Sequence, residues 1–393
     1  MLTDKHSKYY ITSLFLCELA RTFPHAVLSI ILINKGIKLE EIAAIQIFYM
    51  LAIILFEFPS GVISDLFNRK TVYICSVLVS IVSYLTIYKF NTFGLLCISW
   101  FIYGLSVAIS SGTIDVSFTN LYKNDALRLK KFISQAQIAV SIAAIIGGFV
   151  GSRFYLYIDD NIYLISIFLY IISFFIVLLF IPSNYNADVQ NRKINQYIKK
   201  FTNDIVNLLK SKKLMELFIL ISIVQFFFQP FYQYWQLLFT DRNILPSLFG
   251  YLYTVFRLTD IIASKLYEKI KPSYKNSIII LLIIIVLISI NYIIFNPYLY
   301  LLSMTILLTL VMIYLMNLDF CLRESVDSNI MGTIISLNST INRLFSIIIL
   351  AIVSFLVNKT NLNTMFFVTI TIFVGISLIL NLLYLKRSKS IET

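Results

Sequence analysis

The chain is short of the residues on which soluble enzymes rely. Only 13% of its 393 residues are charged and only 20 are acidic. It has two histidines, four cysteines, eleven glycines and seven prolines. The cysteines, Cys17, Cys75, Cys97 and Cys321, have no paired spacing and no histidine cluster beside them, which argues against a disulfide framework and against a metal centre. They read as small apolar packing residues. A glycine-rich phosphate loop is also missing, so ATP-driven chemistry is not expected. Nor do candidate catalytic groups gather at one point of the sequence. The expectation is a protein that is not an enzyme and needs no cofactor or metal.

Apolar sequence takes the place of these residues. The chain is 59% hydrophobic with a mean hydropathy of +0.85, the composition of a polytopic membrane protein. A spanning helix needs about 20 mostly apolar residues. Twelve such segments stand out, near 9–33, 40–66, 71–89, 92–118, 132–153, 161–181, 214–240, 246–267, 276–295, 298–322, 331–357 and 362–385. The first is too long for a cleavable signal and carries Glu18 and Arg21, so it reads as the first spanning helix.

The net charge of +12 raises the question of a nucleic-acid partner, and its distribution answers it. With the N-terminus inside, the inner loops and tails hold Lys5, Lys8, Arg69, Lys70, Lys123, Arg128, Lys130, Lys131, the basic run in 182–213, Lys269, Lys271, Lys275, Arg323, Lys386, Arg387 and Lys389. The outer loops hold only Lys35, Lys38, Lys89, Arg153, Arg242 and Lys359. This positive-inside bias orients a multi-pass protein with both termini in the cytoplasm. It leaves the bilayer and a small-molecule substrate as the expected partners, with no nucleic acid and a monomer as the working unit.

The longest polar interruption divides the helices six and six: 1–181, a basic linker at 182–213, and 214–393. Ile194, Ile198, Ile205, Leu208 and Leu209 give the linker helical apolar spacing, so a surface amphipathic helix and a plain tether are both open readings. Features recur at an offset of about 203–206 residues, as transporter repeats do. Pro24 answers to Pro230, Glu57, Gly61 and Asp65 to Asp260, Ser264 and Glu268, and Asp115 to Asp319. An all-α protein of two pseudo-symmetric six-helix bundles follows.

Polar stripes lie where the repeat aligns. In QFFFQPFYQYWQ, residues 225–236, Gln225, Gln229, Gln233 and Gln236 fall within about 80° on a helical wheel, beside Tyr232, Tyr234 and Trp235. In the first segment Glu18, Thr22, His25 and Ser29 fall within about 60°, with Arg21 adjacent. Ionisable groups at membrane depth face a bundle interior or an aqueous path. Interhelical hydrogen bonding, at about 0.6 kcal/mol per contact, accounts better for one glutamine than for four. The stripes are therefore read as cavity walls, with Thr22, Ser29, Gln225, Gln229, Tyr232, Gln233 and Gln236 as substrate contacts. Rings and amides suit an amphipathic or cationic solute.

Proton coupling needs a titratable group within the membrane. Glu18, Arg21, His25, Glu57, Arg257, Asp260 and Arg343 are the candidates. Glu18 with His25 is the favoured pair, against an internal Glu18–Arg21 pair. Arg257 and Asp260, three residues apart, could simply neutralise each other.

Between the second and third segments the chain reads FEFPSGVISDLFNRKTVY. Gly61, Asp65, Arg69 and Lys70 reproduce most of the loop motif G-x-x-x-D-(R/K)-x-G-R-(R/K), so the chain resembles the major facilitator superfamily. Twelve helices, a basic central linker and internal termini extend the likeness over the whole chain. FEFPSG, SSGTIDV at 110–116 and IMGTIISLNSTINR at 330–343 are similar to a bacterial multidrug or export-permease group. The resemblance implies a secondary transporter in a bacterial cytoplasmic membrane that exports drug-like compounds against protons by rocking two bundles. It implies that Gly61, Asp65, Arg69 and Lys70 latch the halves and that Asp115, Asp319 and Arg323 form gate ion pairs. The sequence departs from the motif at Leu66 and at Asn68, where asparagine tolerates the left-handed backbone that glycine adopts. Trp100 stands where drug antiporters have arginine, four residues before Gly104. Ile142 and Ala143 replace their Gly-Pro ahead of Gly147 and Gly148. Import of a nutrient or peptide-like solute and lipid flipping are the alternative activities.

Overall fold

The computed structural model describes residues 4–111, 113–122, 125–182, 211–270, 274–294, 296–325 and 331–392, and every regular element among them is helical. In the first half these are α1 (Asp4–Thr22), α2 (Leu28–Asn34), α3 (Leu39–Leu66), α4 (Arg69–Lys89), α5 (Phe93–Ser110), α6 (Ile114–Tyr122), α7 (Ala126–Ile158) and α8 (Ile162–Phe180). The second half holds α9 (Lys212–Ile223), α10 (Gln225–Thr240), α11 (Phe249–Tyr267), α12 (Tyr274–Ile293), α13 (Pro297–Glu324), α14 (Met331–Lys359) and α15 (Leu362–Glu392). The basic linker expected to carry an amphipathic helix lies, over 183–210, outside the described residues.

Local sequence starts these helices. Asn68 caps α4 by accepting from the Lys70 amide at 2.9 Å, and Asp125 caps α7 through the Arg128 amide at 3.0 Å. Asn296 accepts from the amides of Tyr298 and Leu299, with Pro297 in the first turn, where its missing N–H costs nothing. Asn68 sits at φ −64° and ψ 117°. The expectation that it serves through left-handed tolerance is thus corrected: it is an extended N-cap.

Ten stretches of the described residues are long and apolar enough to cross a membrane. One of them, Lys131–Phe180, spans both α7 and α8. The helix α11 is not among the ten, because Arg257, Asp260 and Lys265 lie on it. Counting the double stretch twice and adding α11 gives the twelve crossings expected from sequence. The fold is an all-α polytopic membrane protein.

Three crossings expected as single helices are broken. The first stops at Thr22, turns through a 3-10 segment at His25–Val27 and resumes as α2. Pro24 has no N–H to continue the ladder, and the Val27 amide bonds the Pro24 carbonyl instead, at 3.2 Å. The crossing at 214–240 parts between α9 and α10, where the Phe227 amide takes the Val224 carbonyl at 3.0 Å. Pro230 follows inside α10 and cannot donate to the carbonyl four residues back. The crossing at 92–118 divides into α5 and α6.

The chain forms two compact units. One is Met1–Asn191 with Leu245–Thr254, the other Arg192–Ile244 with Val255–Thr393. In the first, α3 packs on α5, α4 on α5, and α1 on α7 and α8. Small residues set these approaches: a Cβ at Gly104 would strike the Tyr49 carbonyl, and one at Gly151 the Phe23 carbonyl. Trp100 of α5 is buried in this unit. In the second, α12 packs on α13 and α15, and α10 on α14 and α15. Its aromatic core stacks Phe227 on Phe231 and sets Trp235 edge-on to Phe256 at 5.3 Å.

Candidate functional site

In the first unit the polar stripe of the opening helix resolves into an ion pair and a hydroxyl contact. Arg21 Nε donates to Glu18 Oε2 at 2.9 Å, and its Nη2 donates to Glu18 Oε1. The Glu18 side chain is 13% exposed and that of Arg21 35%, so the pair is screened on one side and open on the other. A forked guanidinium on a carboxylate is the strongest arrangement the two can form. This is the internal pairing weighed against Glu18–His25. His25 itself lies half-buried in the 3-10 turn, where the break takes it off a continuous α-helical wheel.

Buried tyrosines surround this region. Tyr84 donates to the Arg21 carbonyl at 3.3 Å, and its ring meets Tyr103, Tyr163 and Tyr170 edge-on at 5.2–5.7 Å. One turn earlier, Ser13 bridges Tyr73 at 2.9 Å and Ser173 at 2.7 Å, and Cys17 reaches the Ser173 hydroxyl at 3.1 Å. Cys17 therefore belongs to a polar network, a role beyond the apolar packing expected of it. Thr22 is fully buried, bonds the Glu18 carbonyl at 2.8 Å and leaves no room for a side chain at Gly147. Ser29 is also buried.

In the second unit the glutamine stripe divides. Gln225 and Gln229 are half-buried, whereas Gln233 and Gln236 are buried and Tyr232 is exposed. Gln229 Nε2 donates to Gln225 Oε1 at 3.0 Å and to Ser346 Oγ at 3.1 Å on α14. Ser346 donates to the Asn342 carbonyl, and Asn342 Oδ1 accepts from Ser222 at 2.8 Å. The result is a chain of amides and hydroxyls joining α9, α10 and α14. Ser222, Asn342 and Ser346 escaped the sequence reading. For Asn342 and Ser346 the signal was present in SLNSTINRLFS, which sets small polar residues at helical spacing; Ser222, alone in an apolar run, gave none.

The remaining candidates are dispersed. Glu57 is half-buried on α3 and Arg343 on α14. Arg257 and Asp260 approach to 3.9 Å, each nearly two-fifths exposed, in the mutual pairing foreseen for them. In the loop motif, Gly61 and Asp65 fall within α3, but their side chains lie outside the described residues, as does that of Arg323 on α13. Arg69 opens α4 half-buried, and Lys70 donates to the Leu178 carbonyl of α8 at 2.9 Å. Asp115 lies in the first turn of α6 and Asp319 near the end of α13, both half-buried.

The sequence profile of the Major Facilitator Superfamily matches residues 11–350. The chain belongs to this superfamily. Solved structures agree on the fold. A nucleoside transporter, NupG, aligns at 15% identity with a TM-score of 0.77, over 97% of this chain and 98% of its own. A D-xylose-proton symporter aligns at 11% and 0.74 over 96% of both chains. A bacterial homologue of the iron transporter ferroportin aligns at 14% and 0.74, over 98% of this chain and 99% of its own. No curated protein matches the chain in sequence. As a facilitator the protein is an integral, multi-pass membrane transporter acting on small molecules, in a family that works without a bound cofactor. Its facilitator loop differs from the family motif in the way the structure explains, with Asn68 capping α4 where the motif has glycine.

Proposed function

We propose that this facilitator exports amphipathic or drug-like small molecules in exchange for protons, by alternating access and as a monomer. It would do so in a bacterial cytoplasmic membrane, with both termini inside as the basic loops dictate. The observation that carries the reading is the Glu18–Arg21 pair, a carboxylate and its partner beside a break in a spanning helix. A proton reaching Glu18 removes its charge and frees two guanidinium donors; losing the proton restores the pair. A group that changes partner with its protonation state couples proton movement to a change of conformation. Gln225, Gln229 and Tyr232 are the proposed substrate contacts, with Gly61, Asp65, Arg69, Lys70, Asp115, Asp319 and Arg323 as latch and gate.

The test is accumulation of lipophilic cations in inside-out vesicles under an imposed proton gradient. Wild-type protein should accumulate them, and Glu18→Gln should lose gradient-driven accumulation while still binding substrate. No accumulation of any cation, where a control exporter works, would end the export reading. One observation favours a second: the amide–hydroxyl chain of Gln225, Gln229, Ser346 and Asn342 suits a neutral hydroxylated solute. Uptake of such solutes by right-side-out vesicles would establish import in its place.

A further inference from the structure

Each unit buries one basic residue just past the end of its first crossing, and the two are built alike. Lys35 follows α2 and Arg242 lies two residues past α10. The next residue in each case has a left-handed backbone, Gly36 at φ 84° and Asn243 at φ 61°. Both turns close with the same pair of bonds: Gly36 to Ile33 and Ile37 to Leu32, then Asn243 to Thr240 and Ile244 to Phe239. This is the Schellman arrangement, formed twice.

The two cations differ in what balances them. Lys35 Nζ forms a 2.9 Å ion pair with Asp160 and donates to the Tyr88 carbonyl at 3.1 Å and Asn91 Oδ1 at 2.9 Å. Advancing Asp160 by about 203 residues, the repeat spacing, reaches Asn363. Arg242 Nη1 donates to Asn363 Oδ1 at 2.8 Å and to the Leu238 carbonyl at 3.0 Å, and the Tyr300 ring covers the guanidinium face at 3.5 Å. An amide thus stands where the first unit has a carboxylate. Arg242 is nine-tenths buried and forms no ion pair among the described residues; Asp241 beside it is exposed, within electrostatic reach of the guanidinium. Its Nε is buried without a hydrogen-bond partner.

A cavity of about 290 Å³, including its open mouth, adjoins this guanidinium and is lined also by Ile288, Asn291, Tyr300, Asn363 and Phe366. Asn363 Oδ1 is occupied by Arg242, while Asn291 Oδ1 accepts from Ser303 and its Nδ2 donates to the Leu287 carbonyl at 3.0 Å, so each amide keeps an N–H to offer. A buried cation hydrogen-bonded only to neutral groups is costly, and N–H donors around it select an anion. We propose that Arg242, Asn363 and Asn291 form a binding site for one small free monovalent anion, a halide or a short carboxylate. The bound anion supplies the charge that Asp160 supplies to Lys35. The enclosed part of the cavity, about 20 Å³, admits one water-sized ion or group and is far too small for a drug-sized ligand.

The test is thermal unfolding of the purified protein in neutral-lipid nanodiscs, with sodium chloride replacing sodium gluconate at constant ionic strength. Wild-type protein should gain a saturable rise of about 3–6 °C with chloride. Asn363→Asp should melt higher than wild type in gluconate and show no chloride response. Arg242→Gln should also be unresponsive; if it fails to fold, Asn363→Asp alone decides. A flat wild-type titration would overturn the site, as would a chloride response kept in Asn363→Asp. So would stabilisation by phosphatidylglycerol alone, which would assign the charge to a lipid headgroup.

Discussion

The opening crossings of the two units solve one problem with different chemistry. Both are interrupted close to a proline, and both end on a buried basic residue closed by a left-handed turn. The first unit works with full charges, Glu18 on Arg21 within the crossing and Asp160 on Lys35 at its end. The second works with neutral dipoles, Gln229 on Ser346 and Asn363 on Arg242. The first also braces its break with glycines, since Gly147 and Gly151 admit Thr22 and the Phe23 carbonyl. An ion pair fixes the geometry of its two side chains, whereas amides can exchange donor and acceptor roles. The difference teaches that two corresponding crossings can be held by charge in one unit and by neutral dipoles in the other.

Substitutions can break that comparison. The largest effect is expected at Gly151→Val, where the new side chain meets backbone that cannot yield. A loss of about 3 kcal/mol should appear as failure to recover folded protein by size-exclusion chromatography. Next comes Asp160→Asn, which gives the first unit the second unit's amide. The Lys35 side chain is only 3% exposed, but Asp160 is 31% exposed. The loss should therefore be about 1–3 kcal/mol by denaturant titration, below that of a fully buried pair. The variant should also acquire the anion-dependent melting described for wild-type Arg242. Gln229→Ala removes two hydrogen bonds at about 0.6 kcal/mol each. It should melt slightly lower and, in competition assays, change the order of preferred solutes. The smallest effect is at Gly375→Ala, where an added Cβ meets nothing within 4 Å in the middle of α15. A gain of up to about 1 kcal/mol in thermal stability is expected there.

The positions of the crossings were legible because a bilayer demands long apolar runs, and α3, α4, α8 and α13 begin and end within a few residues of the segments marked in the sequence. The interruptions were not. A helical wheel assumes continuity, and the backbone turns at Pro24 between Glu18 and His25. Pro24 and Pro230 were noticed as repeat markers, and their chemistry as helix breakers was the usable signal. The Arg21 partnership was readable from its spacing of three, one of the two distances that bring side chains together on a helix. The partners of Gln229 on α14 were beyond reach, since contacts more than a hundred residues apart depend on packing. The equivalence of Lys35 with Arg242 was hidden for another reason: the shared feature is a backbone twist, carried by glycine in one copy and asparagine in the other.

The chain has only two tryptophans, and one is buried in each unit: Trp100 on α5 and Trp235 on α10, both 4% exposed. Each half therefore carries its own intrinsic fluorophore. Trp235→Phe leaves a protein whose emission reports on the first half alone, and Trp100→Phe one that reports on the second. Trp235 shares its helix with Gln229 and lies against Phe256, so solute-dependent changes in its spectrum would follow binding without any attached label. The two halves can be watched separately, in light that the molecule emits itself.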